Sequence, residues 1–172
     1  MSSAVEVVLD TVCLQHLLRR PRVRRARSGP GSKLETALDG PIQNKSLRLV
    51  LDASRGLIGE WEQTCGREVV GVVINRWEIF GGIVVISDVP RIPASVSKRL
   101  RHLGFAGTID RLILRLALGA KDRTVVSNDT DFWDPSNKTR PGDPQAPVAR
   151  LVRQELSVTV LLLITFVRAH CR

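Results

Sequence analysis

The chain of 172 residues contains no tyrosine, and aromatic residues make up only 4% of it. Proteins that bind nucleic acid by stacking bases on aromatic platforms need such side chains, so the composition argues against a binding module of that kind. Hydrophobic residues at 43% and charged residues at 25% are ordinary values for a globular protein. The length suits one domain, residues 1–172.

Cysteine and histidine are also scarce. Cys13, Cys65 and Cys171 are odd in number and far apart, which argues against a disulfide framework and a four-cysteine zinc site and favours a reducing compartment. The three histidines are scattered, so a histidine-rich metal site has no support. We expect a cytoplasmic protein.

Long hydrophobic runs are missing. The most apolar run, residues 158–167, has about half of the roughly 20 residues that a membrane-spanning helix needs. Glu6 and Asp10 stand where a secretory signal would carry positive charge. We therefore expect no contact with a membrane.

Acidic residues are outnumbered, at 17 Asp and Glu against 26 Lys and Arg, for a net charge of +9. Such a chain attracts polyanions, and nucleic acid is the default partner. Residues 19–32, rich in arginine, proline and glycine, are predicted to form a mobile basic loop, and residues 95–103 a basic helix. The predicted contacts to a nucleic-acid backbone are Arg19, Arg20, Arg22, Arg24, Arg25, Arg27, Lys98, Arg99 and Arg101. The alternative is a solvated loop and a solvated helix face.

Apolar runs alternate with amphipathic segments along the chain. The predicted strands cover residues 5–9, 47–51, 83–86, 124–126 and 158–164, and most of them are continuously apolar. Strands of this kind are typical of a parallel sheet that is covered on both faces. The sequence predicts a three-layer α/β/α fold with four to five parallel strands.

Acidic residues recur where the predicted strands end, which is where open parallel sheets bind ligands. Carboxylates placed together repel each other, and a hard divalent cation such as Mg²⁺ or Mn²⁺ relieves that repulsion. Each acid alone could be a helix cap or a turn former, and their joint placement favours a metal site. Asp10, Asp52, Asp129 and Asp131 follow strands, Glu60 lies about two helical turns after Asp52, and Asp110 starts the helix before the fourth strand.

Four segments, in order, resemble the PIN-domain nucleases. Residues 7–11 (VVLDT) resemble the opening strand of the family, and residues 49–52 (LVLD) with 58–61 (IGEW) resemble the helix that supplies a glutamate. Residues 110–114 (DRLIL) resemble the helix whose leading aspartate binds metal. Residues 125–132 (VVSNDTDF) are similar to the family's Thr-x-Asp-x-Asp-Phe end piece, the most specific of the four.

The resemblance implies a Mg²⁺- or Mn²⁺-dependent endoribonuclease that acts on single-stranded RNA. By that likeness Asp10, Glu60, Asp110 and Asp129 are catalytic and bind metal. Asp131 is an auxiliary ligand, and Ser127 orients the site or binds phosphate. Thr11 and Asp52 are second-tier candidates. Val12 departs from the family pattern, which has asparagine there.

Hydrolysis is the expected reaction, because no histidine pair or tyrosine is placed to activate a 2′-hydroxyl. Water would attack phosphorus in line and leave a 5′-phosphate and a 3′-hydroxyl. Because many small PIN proteins are toxins, an acidic antitoxin is an expected partner, and so is a second copy in a homodimer.

Three other interpretations stay open or are disfavoured. A PIN-like domain could bind RNA without cutting it. A HAD-like phosphatase would use Asp10 as nucleophile, but that family has a second aspartate where Val12 stands. A nucleotide-binding fold lacks support because the chain has neither Gly-x-Gly-x-x-Gly nor a P-loop motif.

Overall fold

A five-stranded parallel sheet forms the centre of the computed structural model, which describes residues 4–18, 38 and 40–170. The strands run in the order β3-β2-β1-β4-β5, and every neighbouring pair is parallel. The predicted parallel sheet is thereby confirmed. The strands are β1 (Val5–Leu9), β2 (Leu47–Asp52), β3 (Ile83–Ile86), β4 (Thr124–Val126) and β5 (Thr159–Leu161).

Helices connect the strands and flank the sheet, which gives the predicted three-layer α/β/α arrangement. Val7 and Val8 of β1 and Leu49 and Val50 of β2 are all fully buried, because helices cover both faces of these strands. The described helices are α1 (Thr11–Leu18), α2 (Gly56–Cys65), α3 (Arg67–Ile79), α4 (Ala94–His102), α5 (Thr108–Gly119), α6 (Pro147–Leu156) and α7 (Leu163–His170).

The C-terminal apolar run was predicted to form one strand over residues 158–164, but the structure divides it between a strand and a helix. β5 takes three residues of it, and α7 begins two residues later. The side-chain oxygen of Asn128 accepts a hydrogen bond of 3.0 Å from the backbone N–H of Leu163, one of the donors that a helix start leaves free. A short apolar run suits a buried strand and a buried helix equally well, so its spacing alone could not separate the two.

The buried face of α3 also differs from its prediction. The spacing of the apolar residues predicts a single helical face formed by Val69, Val72, Val73, Trp77 and Phe80. In the structure Val69 and Val72 are exposed, by 42% and 70%, while Val70 and Trp77 are buried. A helix with valines on several sides has no single apolar stripe, so the packing of its neighbours selects the face.

The described helices are all too short or too polar to cross a membrane. The predicted basic loop, residues 19–32, lies outside the described residues, and so do its six arginines.

Candidate functional site

The topology brings the ends of β1 and β4 together at one edge of the sheet. The two strands pair in parallel with Leu9 opposite Val126, and the N–H of Asp10 donates to the carbonyl of Val126 at 3.0 Å. Asp10 and Ser127, the residues that follow these strands, therefore meet at the carboxyl edge.

Ser127 links two of the predicted metal ligands. Its hydroxyl donates to Oδ2 of Asp10 at 2.7 Å and accepts from the backbone N–H of Asp129 at 3.0 Å. Its carbonyl accepts from the indole N–H of Trp133 at 3.1 Å. Ser127 is fully buried, so these bonds fix the distance between the Asp10 carboxylate and the Asp129 loop without competition from water.

The segment after β4 folds into a tight turn that holds Asp129 and Asp131 next to each other. Oδ1 of Asp129 accepts from the N–H of Asp131 at 3.1 Å and so caps a 3₁₀ turn, Thr130–Phe132. The turn is anchored by Phe132, which is buried and packs edge-on against Phe105 with ring centroids 5.2 Å apart. The motif that most resembles PIN nucleases is therefore a rigid turn.

Asp110 lies in the first turn of α5, where the helix dipole favours a negative charge. Its carboxylate folds back over Gly107, the residue that precedes the helix. A Cβ atom at Gly107 would overlap Oδ2 of Asp110 and would lie 2.9 Å from its Cγ. The missing side chain at Gly107 therefore makes room for the carboxylate, a role that the sequence analysis did not predict. The signal available was a glycine three residues before the acid that was predicted to open the helix.

The negative charges at this edge act on one another through space. Burial, and then the charges of the other four acids, raise the pKa of Asp110 to about 7. We call the five residues the acidic cluster: Asp10, Glu60, Asp110, Asp129 and Asp131. The four sequence motifs, which span more than a hundred residues, thus supply charges to one region of the fold.

Asp10 is the most enclosed member of the acidic cluster, with 3% of its surface exposed. Burial raises the pKa of Asp10 to about 6, against the opposing effect of the hydrogen bond from Ser127. The pKa of Asp131 is also raised, by burial and by the charge of Asp129. Carboxylates held this way are costly to ionise, and a bound cation would offset that cost.

A divalent cation at the acidic cluster would have to be shared with a substrate. Within the described part of the chain, no three His, Cys, Asp or Glu side chains lie close enough together to enclose a metal ion. Mg²⁺ does not need such a cage, since it commonly binds through one or two carboxylates, waters and substrate phosphates. The candidates for these one or two ligands are Asp10, Asp110 and Asp129. Burial raises the pKa of Asp10 and Asp110, and Ser127 connects Asp10 to Asp129.

The chain matches no family model, no curated protein and no solved structure. The resemblance to PIN-domain nucleases therefore rests on the four sequence segments themselves.

Glu60 is the member of the acidic cluster that lies on α2, and Thr11 directly follows Asp10. Oε1 of Glu60 accepts from the hydroxyl of Thr64 one helical turn later, at 3.4 Å. The hydroxyl oxygen of Thr11 is buried and has no hydrogen-bond partner among the described residues, although Thr11 directly follows Asp10. A buried hydroxyl without a partner is unfavourable, which sets Thr11 apart as a group that a bound water or ligand could satisfy.

Asp52 stabilises the start of α2 by accepting hydrogen bonds from its backbone. Its carboxylate accepts from the N–H of Gly56 at 2.6 Å, from the N–H of Leu57 at 3.0 Å and from the hydroxyl of Ser54. Burial alone would raise the pKa of Asp52, but these hydrogen bonds lower it below its usual value. Asp52 therefore caps the start of α2, the helix that carries Glu60.

We expect Asp52→Ala to destabilise the protein by about 2 kcal/mol, because two N–H groups at the start of α2 lose their acceptor. Asp52→Asn retains one acceptor oxygen and should cost less. Urea unfolding at pH 7 measures both values. Because the pKa is lowered, the Asp52 contribution should be present at neutral pH and lost as the pH falls below about 4. Equal stability of Asp52→Ala and the parent protein would contradict the capping role.

The predicted basic contacts on α4 differ in their surroundings. Lys98 and Arg101 are exposed, whereas Arg99 forms an ion pair with Glu155, with Nη1 and Oε1 2.7 Å apart. The charge of Arg99 is therefore partly matched within the protein, and Lys98 and Arg101 are the freer of the three to meet a polyanion.

Proposed function

We propose that this protein is a Mg²⁺- or Mn²⁺-dependent endoribonuclease that hydrolyses single-stranded RNA. The observation that carries the proposal is the link from Asp10 through Ser127 to Asp129, placed within electrostatic reach of Asp110. Acids from separate elements lie at one edge of the parallel sheet, where a divalent cation could bind between them and a phosphodiester. The net charge of +9 favours a polyanionic substrate.

Under this proposal, different residues of the site bind the cation and the RNA. One or two of Asp10, Asp110 and Asp129 would hold the cation, together with waters and the substrate, and the hydrogen bonds of Ser127 keep Asp10 and Asp129 at a fixed separation. When bound, the divalent cation supplies positive charge that activates water and stabilises the leaving oxygen of the phosphodiester. Asp131 and Glu60 add negative charge that strengthens cation binding, and exposed basic side chains hold the RNA backbone without reading its sequence.

Incubation of the purified protein with labelled single-stranded RNA tests the proposal. We expect cleavage with Mg²⁺ or Mn²⁺, products with 5′-phosphates, and no cleavage in EDTA. Asp129→Asn should abolish cleavage, while Glu78→Gln, which neutralises an exposed acid on α3, should cleave like the parent. A protein that is folded, binds RNA and never cleaves it with either ion would refute the nuclease.

Binding of RNA without cleavage is the second candidate function. It is favoured by the spacing of the acids, since no three of them in the described residues enclose a metal ion, and by Val12. In that case RNA affinity would fall with added salt, Mg²⁺ included, would not depend on Asp129, and no metal ion would give cleavage. The acidic antitoxin and the homodimer stay predictions from the resemblance.

A further inference from the structure

A cavity of about 650 Å³ lies beside the start of α5 and is lined by three arginines. Arg111 and Arg115 are one helical turn apart on α5, and Arg91 reaches the cavity from the loop between β3 and α4. Thr108 adds a hydroxyl, and Leu112 forms part of an apolar wall. None of these residues belongs to the basic set that the sequence predicted.

Two of the arginines are held in place by neutral groups. Nε and Nη2 of Arg115 donate to the carbonyls of Pro90 and Val89, at 2.7 Å and 2.9 Å. Nη2 of Arg111 donates to the hydroxyl of Ser97. Both guanidinium groups are therefore oriented before any ligand arrives, which lowers the entropic cost of binding.

None of the ion pairs found in the described residues involves an arginine of this cavity. Arg111 and Arg115 are only partly exposed, yet their hydrogen-bond acceptors are a hydroxyl and two carbonyls. The ion pairs found in the described part of the chain involve Glu62 and Glu155 instead. Partly desolvated cations without a counter-charge are unfavourable, and an anion in the cavity would offset that cost.

We propose that this cavity binds a backbone phosphate of the RNA strand next to the phosphodiester at the acidic cluster. This inference rests on the proposed function for its ligand. Asp110 immediately precedes Arg111, and Arg115 lies about 7.5 Å from Asp110 along the α5 axis. One helix thus presents a metal-binding acid at its start and guanidinium groups beyond it.

The chemistry of the cavity fits a phosphate well. Guanidinium groups bind phosphate oxygens with paired, directional hydrogen bonds, and the apolar wall at Leu112 offers a surface for a ribose or base. Such contacts orient a strand without specifying its sequence. The cavity would therefore hold the strand in position for attack at the neighbouring phosphodiester.

Binding of a labelled single-stranded RNA in EDTA tests this inference without requiring cleavage. We expect Arg91→Ala and Arg111→Ala each to weaken binding five- to tenfold at low salt. Each should also reduce the slope of log affinity against log salt by about 0.7, the value for one lost phosphate contact on a single strand. Arg48→Ala removes the same charge near the opposite edge of the sheet and should change affinity less than twofold.

Two further measurements make the result decisive. Arg91 is exposed, so Arg91→Ala should fold even if Arg111→Ala loses stability with its bond to Ser97, and thermal melting checks both. Inorganic phosphate should compete with RNA for the parent protein but much less for Arg91→Ala. Competition by phosphate that is equal in both proteins would overturn the inference.

The two proposals fail in different ways. If both arginine variants bind RNA like Arg48→Ala while the parent cleaves RNA with Mg²⁺, the cavity inference is wrong and the nuclease stands. If the variants lose affinity and salt dependence but the parent never cleaves, the cavity binds the strand and the nuclease is wrong.

Discussion

Replacement of Asp110 by asparagine is expected to abolish RNA cleavage and, at the same time, to stabilise the protein in EDTA. The carboxylate of Asp110 is raised in energy by burial and by the charges of Asp10, Asp131, Asp129 and Glu60. Asparagine has nearly the same shape but no charge, so the repulsion is removed together with a metal ligand. Opposite effects on activity and stability are typical of residues retained for function.

The pH dependence of this stabilisation follows from the raised pKa of Asp110. Its pKa is about 7 in the folded protein and about 3.9 when unfolded, so the folded state binds more protons between these values. The parent therefore loses stability as the pH rises from about 4 to about 7. Asp110→Asn has no carboxyl group at this position and does not lose this stability. The variant should therefore be as stable as the parent below pH 4 and should reach its full extra stability above pH 7. Because the side chain is partly exposed, we expect about 1–2 kcal/mol.

Urea unfolding in EDTA at pH 5, 6, 7 and 8 measures the effect, with Glu78→Gln as a control that neutralises an acid outside the acidic cluster. The cleavage rate with Mg²⁺ should fall more than 100-fold. Removal of a residue that merely hydrogen-bonds to a metal ligand already lowers metal affinity or activity about 10–100-fold. Added Mg²⁺ should stabilise the parent more than Asp110→Asn. A variant that is no more stable than the parent at pH 8 would show that the acidic cluster carries no net repulsion.

Gly107→Ala is expected to reduce cleavage about 100-fold while the protein keeps its fold. Gly107 has a φ of −56° and a ψ of 135°, which alanine adopts without strain. The added methyl group would overlap Oδ2 of Asp110, so the carboxylate must rotate away. A displacement of about 1 Å at a reacting centre can cost 100-fold in rate.

Comparison with Gly71→Ala separates this positioning effect from a general effect of alanine. Gly71 lies within α3 with open space where a Cβ atom would be, so alanine there should leave cleavage unchanged and add up to about 1 kcal/mol of stability. For Gly107→Ala we expect a higher Mg²⁺ concentration at half-maximal rate and a melting temperature close to that of the parent. Unchanged metal dependence would mean that Asp110 does not bind the ion.

Local pattern was sufficient for the parallel sheet and for the placement of most acids. Continuous apolar runs such as 5–9 and 47–51 are too short for helices, and they are apolar on both faces, as buried strands must be. An acid that follows such a run, as Asp10 and Asp129 do, necessarily lies at the carboxyl edge of a parallel sheet. The same local information was insufficient at residues 158–167, where a buried strand and a buried helix have the same composition.

The sequence by itself determined the fold class, four of the five strands and the edge of the sheet at which the acids lie. Only the tertiary structure decided which groups touch: that Ser127 bonds to Asp10 across 117 residues, and that Asp52 caps a helix. It also decided that Gly107 makes room for Asp110 and that Arg111 and Arg115 share a cavity with Arg91. The physical reason is that apolar periodicity reports only which side of an element is buried. Contacts between polar side chains depend on strand order and side-chain direction, which arise only when the elements pack together.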